Sequence, residues 1–162
     1  MLQEMHMLFR LKKKHLRQAW KIAASPSDAL LFIGIFFSII IISALLKFSN
    51  RKRIFEIIKP GRVFRPANTD EYCLKLRRYA NFLLSRRTPC FRLTCMKRAI
   101  VYYIFLNMAG IESRLCFGVR KNDWGDKGAL MHAWASVGSK PFPPKSDDAS
   151  VFRQVCSFPR AR

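Results

Sequence analysis

Eighteen consecutive residues, Ala29 to Leu46, carry no charge; Asp28 and Lys47 bound them. As a helix they rise about 27 Å, just enough to cross the hydrocarbon of a bilayer. Such a run must be covered, whether by lipid it crosses, by a membrane surface it lies against or by a partner protein. Ser25-Pro26-Ser27-Asp28 puts a proline and an acid where a helix start prefers them, so a helix is predicted over about 29–46. A secretory signal is not expected: the run starts late, is too long, and has no small-x-small cleavage site before Lys47-Phe48-Ser49-Asn50-Arg51-Lys52-Arg53. Basic residues flank it on both sides, Lys12, Lys13, Lys14, Arg17 and Lys21 ahead and Lys47, Arg51, Lys52 and Arg53 behind. The positive-inside rule therefore has little asymmetry to act on. Residues Leu8 to Ala24 read as a separate basic amphipathic helix suited to an anionic lipid surface.

Those flanks belong to a wider excess. The chain has 30 Lys plus Arg against 10 Asp plus Glu, a formal charge of +20 over 162 residues. A charge of that size suits nucleic acid or an anionic membrane. It is spread along the chain, with 6 basic residues in positions 1–28, 7 in 47–65, 8 in 66–98 and 9 beyond. No zinc-finger, homeodomain or RNA-binding signature accompanies it, so no nucleic-acid partner is expected. Five cysteines, an odd number with no CxxC pair, point to free thiols in a reducing compartment. The predicted division is an arm with the apolar helix over 1–65 and one folded domain over 66–162.

Within that domain, Lys59-Pro60-Gly61 opens a loop that runs through Pro66. A helix resumes at Thr69, with Asp70 and Glu71 in its first turn and Tyr72, Leu76, Tyr79, Ala80 and Leu83 at helical spacing. It stops before Thr88-Pro89. The run Met96 to Ala109 is apolar on almost every side and ends at Gly110, where a left-handed residue closes a helix, so it must be buried all round. Two strands follow, Arg114 to Lys121 and Leu130 to Val137, the second with His132, Trp134 and Ser136 on one face. The turn-rich segment 122–128 joins them as an antiparallel pair. From Pro141 onward, with three prolines in four residues, the tail is expected to be extended and poorly ordered. The class is α+β: a central helix with antiparallel strands, preceded by a long apolar helix able to cross a membrane.

A helix that begins at Cys95, just after Thr94, holds its sulfur at the positive end of the helix dipole, an environment that favours nucleophilic thiolates. His6 and His15 lie in the basic arm, which leaves His132 to take the thiol proton and return it to a leaving amine. Helix-borne Cys followed by strand-borne His is the order of papain-like and transglutaminase-like enzymes. Read alone, these two residues are more often a packed thiol and a structural imidazole than a catalytic pair.

A longer pattern is more specific. The unbroken run from Cys95 through Gly110-Ile111 and Gly118-Val119-Arg120, followed by His132-Ala133-Trp134, resembles CLxxSLALYxLLxxxGIxAxLxxGVR…AHAW of the lasso-peptide leader peptidases. Their catalytic part is a transglutaminase-like cysteine protease domain. The basic arm, the Ser-Pro-Ser-Asp helix start and the long apolar helix also resemble that family. The resemblance implies Cys95 as nucleophile and His132 as general base and acid. Cys90 stands 20 residues before Gly110 instead of 15 and is a bystander. Ala99 replaces the usual Ser, while Ser136 and Gly138 replace an acid and an Asp after the His-Ala-Trp element. The family's third residue, an Asp about a dozen positions after the His, falls here on Pro144. The nearest carboxylates are Asp147 and Asp148, and Asp147 is favoured; without either, a dyad remains.

The implied activity is removal of a leader from a ribosomally made precursor peptide, on the cytoplasmic side of a membrane that the protein spans or lies against. The implied partners are that precursor peptide, a leader-recognition protein and an ATP-dependent macrolactam synthetase. The chain itself has no P-loop GxxxxGK[ST] and no metal-ligand spacing, so no cofactor and no metal are expected. Another acyl transfer on the same fold, or an idle scaffold for the synthetase, would fit the same residues.

Overall fold

The computed structural model describes residues 25–48, 54, 58, 61–85, 94–121, 129–144 and 151–159. The predicted basic helix Leu8–Ala24, Cys90, the turn 122–128 and both Asp147 and Asp148 lie outside the described residues. Three helices, α1 (Pro26–Phe48), α2 (Thr69–Leu84) and α3 (Cys95–Met108), precede four strands, β1 (Ser113–Lys121), β2 (Ala129–Val137), β3 (Lys140–Phe142) and β4 (Arg153–Phe158). Each strand pairs antiparallel with its neighbours in the order β3-β2-β1-β4.

Local chemistry sets the helix ends. Ser25 C=O accepts from the N–H groups of Asp28 and Ala29 at 3.1 and 3.0 Å, so α1 starts where Pro26 needs no hydrogen bond. Asn68 Oδ1 accepts from Glu71 N–H at 3.1 Å and caps α2; Thr94 Oγ1 accepts from Lys97 N–H at 3.2 Å and caps α3. Gly110, at φ +74°, closes α3 as its position predicts, while Ile111 N–H reaches back to Leu106 C=O. A Cβ there would also stand 2.9 Å from Arg62 Nε.

The core lies between the helices and one face of the sheet. Tyr72, Leu76, Tyr79, Ala80 and Leu83, the predicted inner face of α2, are all buried. They meet α3, which is buried nearly all round, and Leu115, Ala133, Ala135 and Phe142 from the sheet. Tyr72 Oη donates to Phe105 C=O at 2.9 Å, satisfying a phenol that burial would otherwise penalise.

The apolar helix is covered on one side by the protein's own core. Ile35, Ile39 and Ile42 are 0–2% exposed and pack, with Leu31, Phe32, Phe36, Leu45 and Leu46, on α2 and α3. Three fully buried isoleucines contribute about 1.5–3 kcal/mol each to that docking. Lys75 Nζ pairs with Asp28 at 2.9 Å and with Glu71 at 2.8 Å, tying the start of α1 to α2. Ile54 and Ile58 join the same cluster, so the core runs continuously across position 65. With 23 residues, α1 is long and apolar enough to cross a membrane.

The tail departs from expectation. Two of its segments are extended, but ordered: Lys140–Phe142 and Arg153–Phe158 form the two edge strands. The sheet supplies hydrogen bonds that no local pattern announces, and two aromatic anchors hold the strands. Phe142 meets Tyr102 edge-to-face at 5.1 Å and Phe158 meets Tyr103 at 5.9 Å.

Candidate active site

Cys95 is the first residue of α3, half-buried against the edge of the main core. Thr94 uses the N–H of Lys97, and its carbonyl takes that of Arg98 at 3.1 Å. The remaining first-turn N–H groups, of Cys95 and Met96, surround the base of the sulfur's side chain, where a helix N-terminus attracts negative charge. The other described cysteines differ. Burial pushes the Cys73 thiol upward, and Asp70 adds to the shift. Burial also raises Cys116, whose sulfur lies 3.3 Å from Ser136 Oγ, and outweighs the opposing effects of that contact and of Arg114. Cys156 is exposed on β4, with no helix terminus near it in sequence. Among the described cysteines only Cys95 joins accessibility to a helix start.

Strand alternation divides β2. Ala133 and Ala135 turn toward α3 and enter the main core, while His132, Trp134 and Ser136 take the opposite face, as predicted. The imidazole is half-buried and stacked on Phe152 at 4.9 Å and 25°, and on Trp134 at 6.0 Å and 20°; its Nε2 is buried. Directly across the ladder from His132 stands Gly118. A Cβ at Gly118 would lie 2.8 Å from Trp134 Cη2 and 2.9 Å from Arg153 C=O, so only glycine admits the indole. Two positions on, the Arg120 guanidinium lies 5.9 Å above the Phe152 ring. The Gly-Val-Arg and His-Ala-Trp elements are thus two halves of one aromatic cradle around His132.

The chain reverses between α3 and β1, where Asn107 Nδ2 donates to Ser113 Oγ at 2.7 Å. From there α3 runs back for about 20 Å, the length of about six strand residues. Its first residue therefore comes level with the rungs Gly118–His132 and Val119–Met131. Because α3 lies chiefly over β2, Cys95 and His132 share one end of one helix-strand unit. They approach it from different sides: α3 covers the Ala133 face, and the imidazole lies on the other. β3 pairs only with Ala135–Val137, so at His132 β2 has no strand on its outer side among the described residues.

The third residue is not brought in by described structure. Asp28 and Glu71 line a cavity of about 660 Å³ together with Phe105 and Met108, at the opposite end of α3. Asp70 and Glu112 belong to that end too, at the start of α2 and just before β1. Asp147, which the sequence favours, and Asp148 lie outside the described residues. Phe152 is the member of the cradle that sequence reasoning missed. It sits in the tail, and no local signal marks it.

A family model described as the transglutaminase-like superfamily matches residues 41–157. No curated protein matches the chain, and no solved structure does.

Proposed function

The chain belongs to the transglutaminase-like superfamily, whose members are generally cysteine peptidases or acyltransferases, and on that premise we propose that it is a cysteine peptidase that removes the leader from a ribosomally made, lasso-type precursor peptide. The reading is supported by the capped helix N-terminus that bears Cys95 and by the cradle, built from both sequence motifs, that holds His132 on the strand α3 covers.

In the proposed reaction the Cys95 and His132 side chains meet around the edge of β2, which has no strand beside His132 among the described residues. The Cys95 proton passes to His132 as Sγ attacks the scissile carbonyl carbon, and the carbonyl electrons move onto oxygen. The N–H groups of Cys95 and Met96 hold that oxyanion. Collapse breaks the C–N bond, His132 protonates the leaving amine, and a thioester on Cys95 remains. Water then adds with His132 as base and releases the leader as a carboxylate. Asp147 orients the imidazole: it belongs to the segment joining β3 to β4, which re-enters the described structure beside Phe152, the ring stacked on His132. The same reading places the protein on the cytoplasmic side of a membrane. There it would work with a leader-recognition protein and hand the freed core to an ATP-dependent macrolactam synthetase.

The test is the rate at which iodoacetamide modifies Cys95 at neutral pH, followed by peptide mapping. His132→Gln should slow it roughly tenfold or more, because the base that takes the proton is gone. An unchanged rate would remove His132 from the reaction.

A further inference from the structure

The face of α1 that the core leaves uncovered is a single apolar stripe. Leu30, Ile33, Phe37, Ile41, Ala44 and Phe48 recur every three or four residues along its whole length, and all six are exposed. Ile33, Phe37 and Ile41 keep 49%, 57% and 58% of their surfaces in contact with solvent. No charge interrupts the stripe before Lys47, whose Nζ lies 5.2 Å from the Phe48 ring.

From this we infer that α1 binds an anionic bilayer lying in the plane of the interface, with Ile33, Phe37 and Ile41 in the acyl region, and does not cross it. The inference rests on the membrane location proposed above and not on the peptidase reaction. Two observations select lipid in this orientation. The opposite face of α1 is already committed to the domain: Ile35, Ile39 and Ile42 are shut into the core, and Asp28 is paired to α2 through Lys75. A helix held along its length by a folded domain cannot enter hydrocarbon on all sides, but it can insert one stripe to the headgroup and acyl boundary. Charge supplies the rest. Between positions 10 and 53 the chain carries ten Lys and Arg residues and a single acid, Asp28, placing cations at both ends of the stripe and none within it.

The full chain is mixed with vesicles of phosphatidylcholine and phosphatidylglycerol, sedimented, and treated with external trypsin, which cuts in both basic flanks. The in-plane helix predicts co-sedimentation and cleavage of both flanks from outside the vesicle. Protection of one flank until detergent is added would mean a spanning helix and would overturn the inference. Failure to co-sediment at all would instead overturn the membrane location itself. Combining Ile33→Lys, Phe37→Lys and Ile41→Lys should weaken vesicle binding by roughly a hundredfold or more while circular dichroism is unchanged. Should that variant misfold, Phe37→Trp gives a second reading. Brominated lipid should quench its added fluorescence beyond the wild-type level, and no added quenching counts against insertion. A lipid-free dimer that the triple substitution dissolves would show that a second copy, not lipid, covers the stripe.

Discussion

Gly118→Ala adds one methyl group at the place where the cradle is tightest. The new Cβ would stand 2.8 Å from Trp134 Cη2, 2.9 Å from Trp134 Cζ3 and 2.9 Å from Arg153 C=O. Two of these atoms belong to a side chain that can move, but the third is backbone of β4, paired to β1 beside this position. Neither neighbour can give way without cost. Moving the indole removes the partner stacked on His132, and moving β4 shifts Phe152, the other partner. Overpacking of this kind costs about 1–3 kcal/mol, and for a domain of this size 2 kcal/mol lowers Tm by roughly 8 °C. Activity should fall further than stability does, by roughly tenfold or more at a temperature where the variant is fully folded, because the displaced imidazole loses its orientation. Gly34→Ala is the control. Its Cβ would make ordinary contacts of 3.5 Å with the Phe105 ring, and helical alanine should leave Tm unchanged or raised. Thermal denaturation and peptide cleavage measured on both variants check the argument. A Gly118→Ala protein with wild-type Tm and wild-type rate would refute the interlocked cradle.

Thiol reactivity should rank the cysteines: iodoacetamide at pH 7.5 should modify Cys95 and Cys156 well before Cys73 and Cys116, whose thiols burial pushes upward, and mapped peptides report the order. Burial lifts Tyr102 from 10.0 to about 12 and Tyr72 higher still, so the folded state keeps protons that the unfolded state releases. Their contribution is complete below pH 10 and is lost as pH rises toward 12; circular dichroism should show cooperative alkaline unfolding in that window, and full phenol ionisation near pH 10 with the fold intact would contradict it. Asp147→Asn should slow turnover roughly a hundredfold while Asp148→Asn stays near wild type. If the double substitution remains within about threefold of wild type, the pair works without either acid.

Much of the fold was legible because its elements carry their own periodicity. The inner face of α2 repeats at helical spacing, and Gly110 marks the end of α3 by the one conformation it adopts freely. β1 and β2 alternate cleanly and pair in the expected sense. The packing of α1 was not legible, since a helix apolar on every side hides which face the domain will cover. Only the structure separates Ile35, Ile39 and Ile42 from Ile33, Phe37 and Ile41. The edge strands were missed for a related reason. β3 is three residues long, too short to carry a period of its own, and its anchor Tyr102 lies about forty residues away on α3. At the site, Cys95 and His132 could be named from motif spacing. Their surroundings could not, because the fit of Trp134 over Gly118 and of Phe152 on His132 joins segments separated by 16 and 20 residues.

Mass spectrometry of a lasso-type precursor peptide, incubated with its leader-recognition protein and each cysteine variant, tests the central claim most directly. Cys95→Ala should release no leader, while Cys73→Ala, Cys90→Ala and Cys156→Ala should keep most of the wild-type rate, because Cys95 alone combines the motif register with the start of α3. Full cleavage by Cys95→Ala would contradict the account.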